Sequence, residues 1–95
     1  MLTETFTVTA EVERFPQKGG WYYVPVPEEY TEITKNFADR GLVAITATVG
    51  DTNWDTSLLP KGDGTLFIAL NAKVRKRETI DIGDTIDIAF KLRER

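Results

Sequence analysis

Histidine and cysteine are absent from the 95 residues, and serine occurs once, at Ser57. Their absence excludes a zinc finger, a Cys/His metal centre and an imidazole general base. A Ser-His-Asp triad cannot be built either. Carboxylate-only sites for magnesium or calcium remain open to this composition, yet no stretch has the spacing of a calcium loop. No cofactor is therefore expected. Without cysteine there is no disulfide framework, which fits a cytoplasmic protein. No run of about eighteen apolar residues occurs, so no membrane-spanning helix is expected. The start, Met1-Leu2-Thr3-Glu4-Thr5, lacks the basic and apolar regions of a signal peptide. An excess of positive charge is also missing: the net charge of -3 argues against a protein that coats nucleic acid.

What is present is ordinary globular material, 41% hydrophobic and 28% charged, in one domain over residues 1–95. TFTVTAEVE, Thr5 to Glu13, alternates strictly, with Phe6, Val8, Ala10 and Val12 on one face. That period marks a half-buried strand. Pro16 and Gly19-Gly20 then turn the chain into a second strand, Trp21 to Val24, which Pro25 and Pro27 are expected to end. Glu28 to Asp39 reads as a helix, with Tyr30, Ile33 and Phe37 at helical spacing and Arg40-Gly41 at its end. Alternation resumes at Val43 to Val49, returns over Asn53 to Leu58, and recurs at Thr65 to Leu70 and Thr85 to Arg93. Phe6, Val8, Ile45, Ile68, Ile88 and Phe90 are the expected core. Between the last two strands Asn71 can cap a short helix through about Arg77. The chain is thus mainly β, with about six strands and two helices, and a closed or split antiparallel barrel fits best. TATVGDT (46–52) and TIDIGDT (79–85) echo one another and raise the question of an internal repeat.

Several stretches taken in order resemble one known family. They are Trp21-Tyr22-Tyr23-Val24-Pro25-Val26-Pro27, Arg40-Gly41 before a strand, and Trp54-Asp55-Thr56-Ser57-Leu58 with Pro60. Gly62-Asp63-Gly64, Val74-Arg75-Lys76 and Gly83-Asp84-Thr85 continue the series. The family is the domain of unknown function numbered 1905, found in small bacterial and archaeal proteins. The resemblance implies a double-split β-barrel and no particular activity. Some relatives carry a second domain associated with bacteriocin protection, which is not expected in a chain ending at Arg95. A looser likeness links residues 74–88 to AbrB- and MazE-type swapped-hairpin regulators, which bind DNA as dimers.

Three groups of residues are candidates for function. Lys73, Arg75, Lys76 and Arg77 form the densest basic segment. They read either as a solvated helix face or as a handle for an anion. Arg75, with Val74, is expected to face the barrel, where its planar fork can hold a carboxylate. That carboxylate is either internal or part of a ligand. Trp21, Tyr23 and Trp54 read as core or as stacking surfaces for a flat ligand. Asp51, Asp55, Asp63 and Ser57 read either as carboxylates sharing a proton or a hard cation with the serine between them, or as turn residues bonding local amides. Lys18-Gly19-Gly20 does not have the form of a phosphate loop.

Taken together, these features point to a noncatalytic module binding a small anionic ligand or a protein, through Arg75, Trp21, Tyr23 and Trp54, as a monomer or homodimer. The alternative is a dimeric DNA-binding regulator of AbrB-like kind. An enzyme working through carboxylates and Arg75 is a more distant rival.

Overall fold

The first alternating run forms a strand, but it breaks at Val12. In the computed structural model, which describes residues 4–17 and 19–93, β1 spans Thr5–Glu11 and β2 spans Glu13–Arg14. Val12 is buried (1% exposed) and bonds sideways, donating to the Asp84 carbonyl at 2.8 Å and accepting from Gly83 N–H at 2.9 Å. The remaining elements are β3 (Tyr22–Val26), α1 (Glu28–Thr34), a 3₁₀ turn (Lys35–Phe37), β4 (Val43–Val49) and β5 (Thr52–Pro60). They are followed by β6 (Leu66–Leu70), α2 (Ala72–Glu78) and β7 (Thr85–Leu92). The mainly-β expectation holds, with seven strands because the first is split. Lys18 and residues 1–3, on which the readings of a phosphate loop and a leader partly fall, lie outside the described residues.

All the pairings are antiparallel, in the order β1-β7-β4-β5-β6-β3-β2. The two ends of this order, β1 and β2, are consecutive in the chain. One bent ribbon therefore pairs with β7 before Val12 and with β3 after it, drawing the sheet into a nearly closed barrel. All six expected core residues are buried within it.

β3 runs through Pro25 to Val26 instead of ending there, with Pro25 opposite Phe67 of β6. β2 reaches only Tyr22 and Tyr23, so the other edge of β3 is unpaired alongside Pro25, where a missing N–H is tolerated. β6 is buried on both faces. Leu66, Ile68 and Leu70 join the core, while Phe67 lies under an outer cluster of Phe15, Trp21 and Tyr23.

The helix expected over Glu28 to Asp39 is regular only to Thr34. Its buried side is Tyr30 and Thr34, not Ile33 and Phe37, which are 48% and 44% exposed. The Tyr30 ring packs against Phe6 and Phe90, and its hydroxyl donates to the Thr7 carbonyl at 3.0 Å. The Thr34 hydroxyl donates back to the Tyr30 carbonyl at 2.7 Å, a local bond that loosens a helix at that point. Arg40 and Gly41 do not cap the helix. Both have positive φ (55° and 81°) and form a two-residue turn closed by reciprocal bonds between Asp39 and Leu42.

The echo between 46–52 and 79–85 is not a structural repeat. The first copy is the end of β4 and its hairpin turn. The second is the loop leaving α2, beginning with Thr79 in the left-handed region (φ 53°).

Candidate functional site

Asn71 sets the register of the basic segment Lys73–Arg77. Its side chain accepts from Val74 N–H at 2.9 Å, which starts α2 in the expected register. Val74 is then buried, Arg75 half-buried, and Lys73, Lys76 and Arg77 exposed. The four basic neighbours therefore do not converge. Arg75 alone turns toward the barrel, where its Nε donates to the Leu70 carbonyl at 3.1 Å. Its guanidinium carbon lies 3.8 Å from the centre of the Tyr22 ring, a close cation–π contact.

A guanidinium has five N–H donors, and the bond to Leu70 uses one. Among the described residues, no carboxylate forms an ion pair with Arg75, and its two Nη nitrogens donate to no protein acceptor. Arg75 is thus anchored at Nε and open at its fork. A second guanidinium lies nearby: Arg14 Nε donates to the Gly20 carbonyl at 3.3 Å, and its Cζ is 6.0 Å from the Tyr22 ring centre.

These groups line a hollow of about 680 Å³, within the range of small-ligand sites. Tyr22 and Leu70 line it from β3 and β6, and Trp54 and Thr56 from β5. Trp21 stands on the rim, 57% exposed. The backbone before and at Trp21 is fixed: Phe15 N–H donates to the Trp21 carbonyl at 3.1 Å, and Gly20 N–H to the Gln17 carbonyl at 2.8 Å. No Cβ fits at Gly20, because it would collide with the Phe15 carbonyl oxygen.

Of the four residues expected from sequence to bind a ligand, Arg75, Trp21 and Trp54 line this hollow and Tyr23 does not. Tyr23 is buried in the outer cluster, stacked on Phe15 at 4.2 Å, with its hydroxyl bonded to Glu13 at 3.2 Å. Its neighbour Tyr22 is the tyrosine that meets Arg75. Tyr22 and Arg14 had no distinguishing signal in the sequence: the register of β3 against β2 and β6 puts them there.

The carboxylates do not assemble. Asp55 lines the hollow, accepts from the Thr46 hydroxyl at 2.9 Å and has Arg93 Nε at 3.8 Å. Asp63 accepts from Thr65 N–H at 3.0 Å within its own turn. The Thr65 hydroxyl and amide, with the Lys61 charge nearby, hold the Asp63 carboxyl below its usual 3.8. Asp51 is exposed at the β4–β5 turn. Among the described residues no three acids are placed to hold a metal ion, and no helix is long and apolar enough to cross a membrane.

Fold and hollow together define a small antiparallel barrel with a cationic, aromatic-walled cleft at one side. The family model described as a domain of unknown function (DUF1905) matches residues 9–90, and the chain belongs to that family. No curated protein matches the sequence.

Proposed function

We propose that the protein is a noncatalytic binding module for a small, flat organic anion held in the hollow beside Arg75. The observation carrying this reading is the state of that arginine. Its guanidinium lies on Tyr22 with Nε satisfied by Leu70, and no acid of the described chain neutralises it. A preorganised fork of this kind binds carboxylate or phosphate in two parallel bonds. Trp21 and Trp54 add ring faces for the planar part of the ligand, and Arg14 adds a second positive charge. Catalysis has no comparable support: among the described residues Asp55 is the one carboxylate lining the hollow, and it accepts from the Thr46 hydroxyl with Arg93 beside it.

The test is a thermal-shift screen of aromatic carboxylates and nucleoside monophosphates, read beside tryptophan fluorescence. A true ligand at a hundredfold excess over its dissociation constant raises stability by about 2.7 kcal/mol. Arg75→Ala should abolish that gain in a protein that still melts cooperatively. Binding unaffected by Arg75→Ala, or no stabilisation by any flat anion at millimolar concentration, would overturn the reading.

A further inference from the structure

Trp21 lines a second hollow as well as the first. This one has a volume of about 450 Å³ and is lined by Phe15, Gln17, Gly19, Trp21, Lys61 and Phe67, with Pro60 at its side. Gly19 and Trp21 are common to both hollows, so the two adjoin along the Gly19–Trp21 ridge. The second hollow also combines a cation with aromatic rings. Lys61 Nζ lies 5.3 Å from the centre of the Tyr23 ring, and its backbone N–H donates to the Thr65 carbonyl at 2.9 Å. Among the described residues no carboxylate lines this hollow.

In a chain of net charge -3, the two hollows together carry, among the described residues, Arg14, Arg75 and Lys61 against Asp55, and Arg93 lies beside Asp55. Trp21, which borders both hollows, remains 57% exposed, with the Phe67 ring centre 6.4 Å from its own. That open face is available to a ligand ring.

We infer that the two hollows form one bipartite site for a dinucleotide, two flat bases joined by a phosphodiester. This rests on the anion-binding reading of the first hollow and extends it. One base occupies the hollow of Trp54 and Tyr22, with its phosphate on Arg75 and Arg14. The linking phosphate crosses the ridge at Gly19, which has no side chain to obstruct it. The second base stacks at Trp21 above Phe67, near the charge of Lys61. Base stacking on aromatic side chains tolerates any base, so the site selects the number of nucleotide units and not their sequence.

The experiment compares thymidine 5′-monophosphate with the 5′-phosphorylated thymidine dinucleotide on the full chain, by tryptophan fluorescence at two salt concentrations. Stacking of a second base accounts for about tenfold tighter binding or more. Lys61→Met keeps the aliphatic stem, and should remove most of that gain while leaving the monophosphate affinity unchanged. Trp21→Ala should remove the gain and, because the indole also borders the first hollow, weaken the monophosphate by a smaller factor; Trp21→Phe should restore part of both. A melting curve on each variant verifies its fold. A thymidine strand of about twelve units that binds much more tightly than the dinucleotide identifies single-stranded nucleic acid as the source. Equal affinity identifies the free dinucleotide.

If the monophosphate binds through Arg75 and the dinucleotide binds no more tightly, the bipartite site is wrong and the anion reading stands. Equal loss of both ligands in Lys61→Met also overturns the bipartite site. If neither nucleotide binds, this inference falls; if aromatic carboxylates fail as well, the anion reading falls with it.

Discussion

Arg75 differs from its basic neighbours by what its Nε and ring contact hold, although counting charges makes all four alike. Removing it deletes a part-buried bond to the Leu70 carbonyl and the stacking on Tyr22. Such losses amount to about 1–3 kcal/mol. Lys76 is exposed and has no hydrogen bond or ion pair among the described residues, so its removal should change stability by less than about 0.5 kcal/mol. Urea unfolding of Arg75→Ala beside Lys76→Ala, without ligand, measures the contrast; equal and negligible effects would return α2 to a merely solvated helix. Asp63 is a second residue with a definite expectation. Its folded-state carboxyl lies below 3.8, chiefly because the Thr65 hydroxyl and amide donate to the charged form. A depressed pKa contributes stability above the unfolded value, which is lost as pH falls through the folded one. Being fully exposed, this turn should add little to global stability. NMR titration should nonetheless place the Asp63 midpoint under 3.8 and move it upward in Thr65→Val; a midpoint at or above that value would contradict the turn geometry.

Among the elements, α1 departs furthest from its sequence pattern. Tyr30, Ile33 and Phe37 share a helical spacing, yet of the three Tyr30 alone packs on the core, with Thr34 beside it. Tyr30 reaches the core by ring packing on Phe6 and Phe90 and by its bond to the Thr7 carbonyl, which ties α1 to β1. Tyr30→Phe should therefore cost about 0.5–1.5 kcal/mol, the usual net worth of one hydrogen bond. Ile33→Ser, on the open side, should cost less than about 0.5 kcal/mol. A larger loss from Ile33→Ser than from Tyr30→Phe, in chemical denaturation, would mean that α1 packs by its other face. α2 is held at its far end too. The Thr52 hydroxyl donates to Glu78 Oε2 at 2.5 Å, under the β4–β5 turn at Gly50, where an added Cβ would meet the same carboxylate. That latch positions the helix carrying Arg75, so the site depends on a contact between segments 26 residues apart in sequence.

For the whole molecule, charge placement decides what kind of anion is expected. Lys73, Lys76 and Arg77 face solvent close in sequence to the exposed acids Asp81, Asp84 and Asp87, while Arg75 is turned away from them. Among the described residues, basic and acidic side chains thus adjoin along this exposed stretch. Affinity for random duplex DNA should be no tighter than the nonspecific range of about 10⁻⁴ M at physiological salt. A gel shift at low micromolar protein that is weakened by Lys73→Ala or Arg77→Ala would refute this. The strands and their core were legible in the sequence because alternation has a period of two residues and needs no partner to be read. Val43–Val49 and the six core residues are direct products of that periodicity, and the cap at Asn71 is equally local. The break at Val12 was not legible, since it depends on bonds to Gly83 and Asp84 that lie 71 and 72 positions away. The pairing of Arg75 with Tyr22 was hidden for the same reason: strand alternation puts Trp21 and Tyr23 on one face and Tyr22 on the other, but not which face an arginine 53 residues later will meet. Local chemistry and periodicity determined which residues form strands, core and cap. The closure of the ribbon, the choice of Tyr30 over Ile33 and the convergence of Arg14, Arg75, Trp21 and Trp54 on one hollow were decided by tertiary structure, because register between distant strands is fixed only when their buried faces pack together.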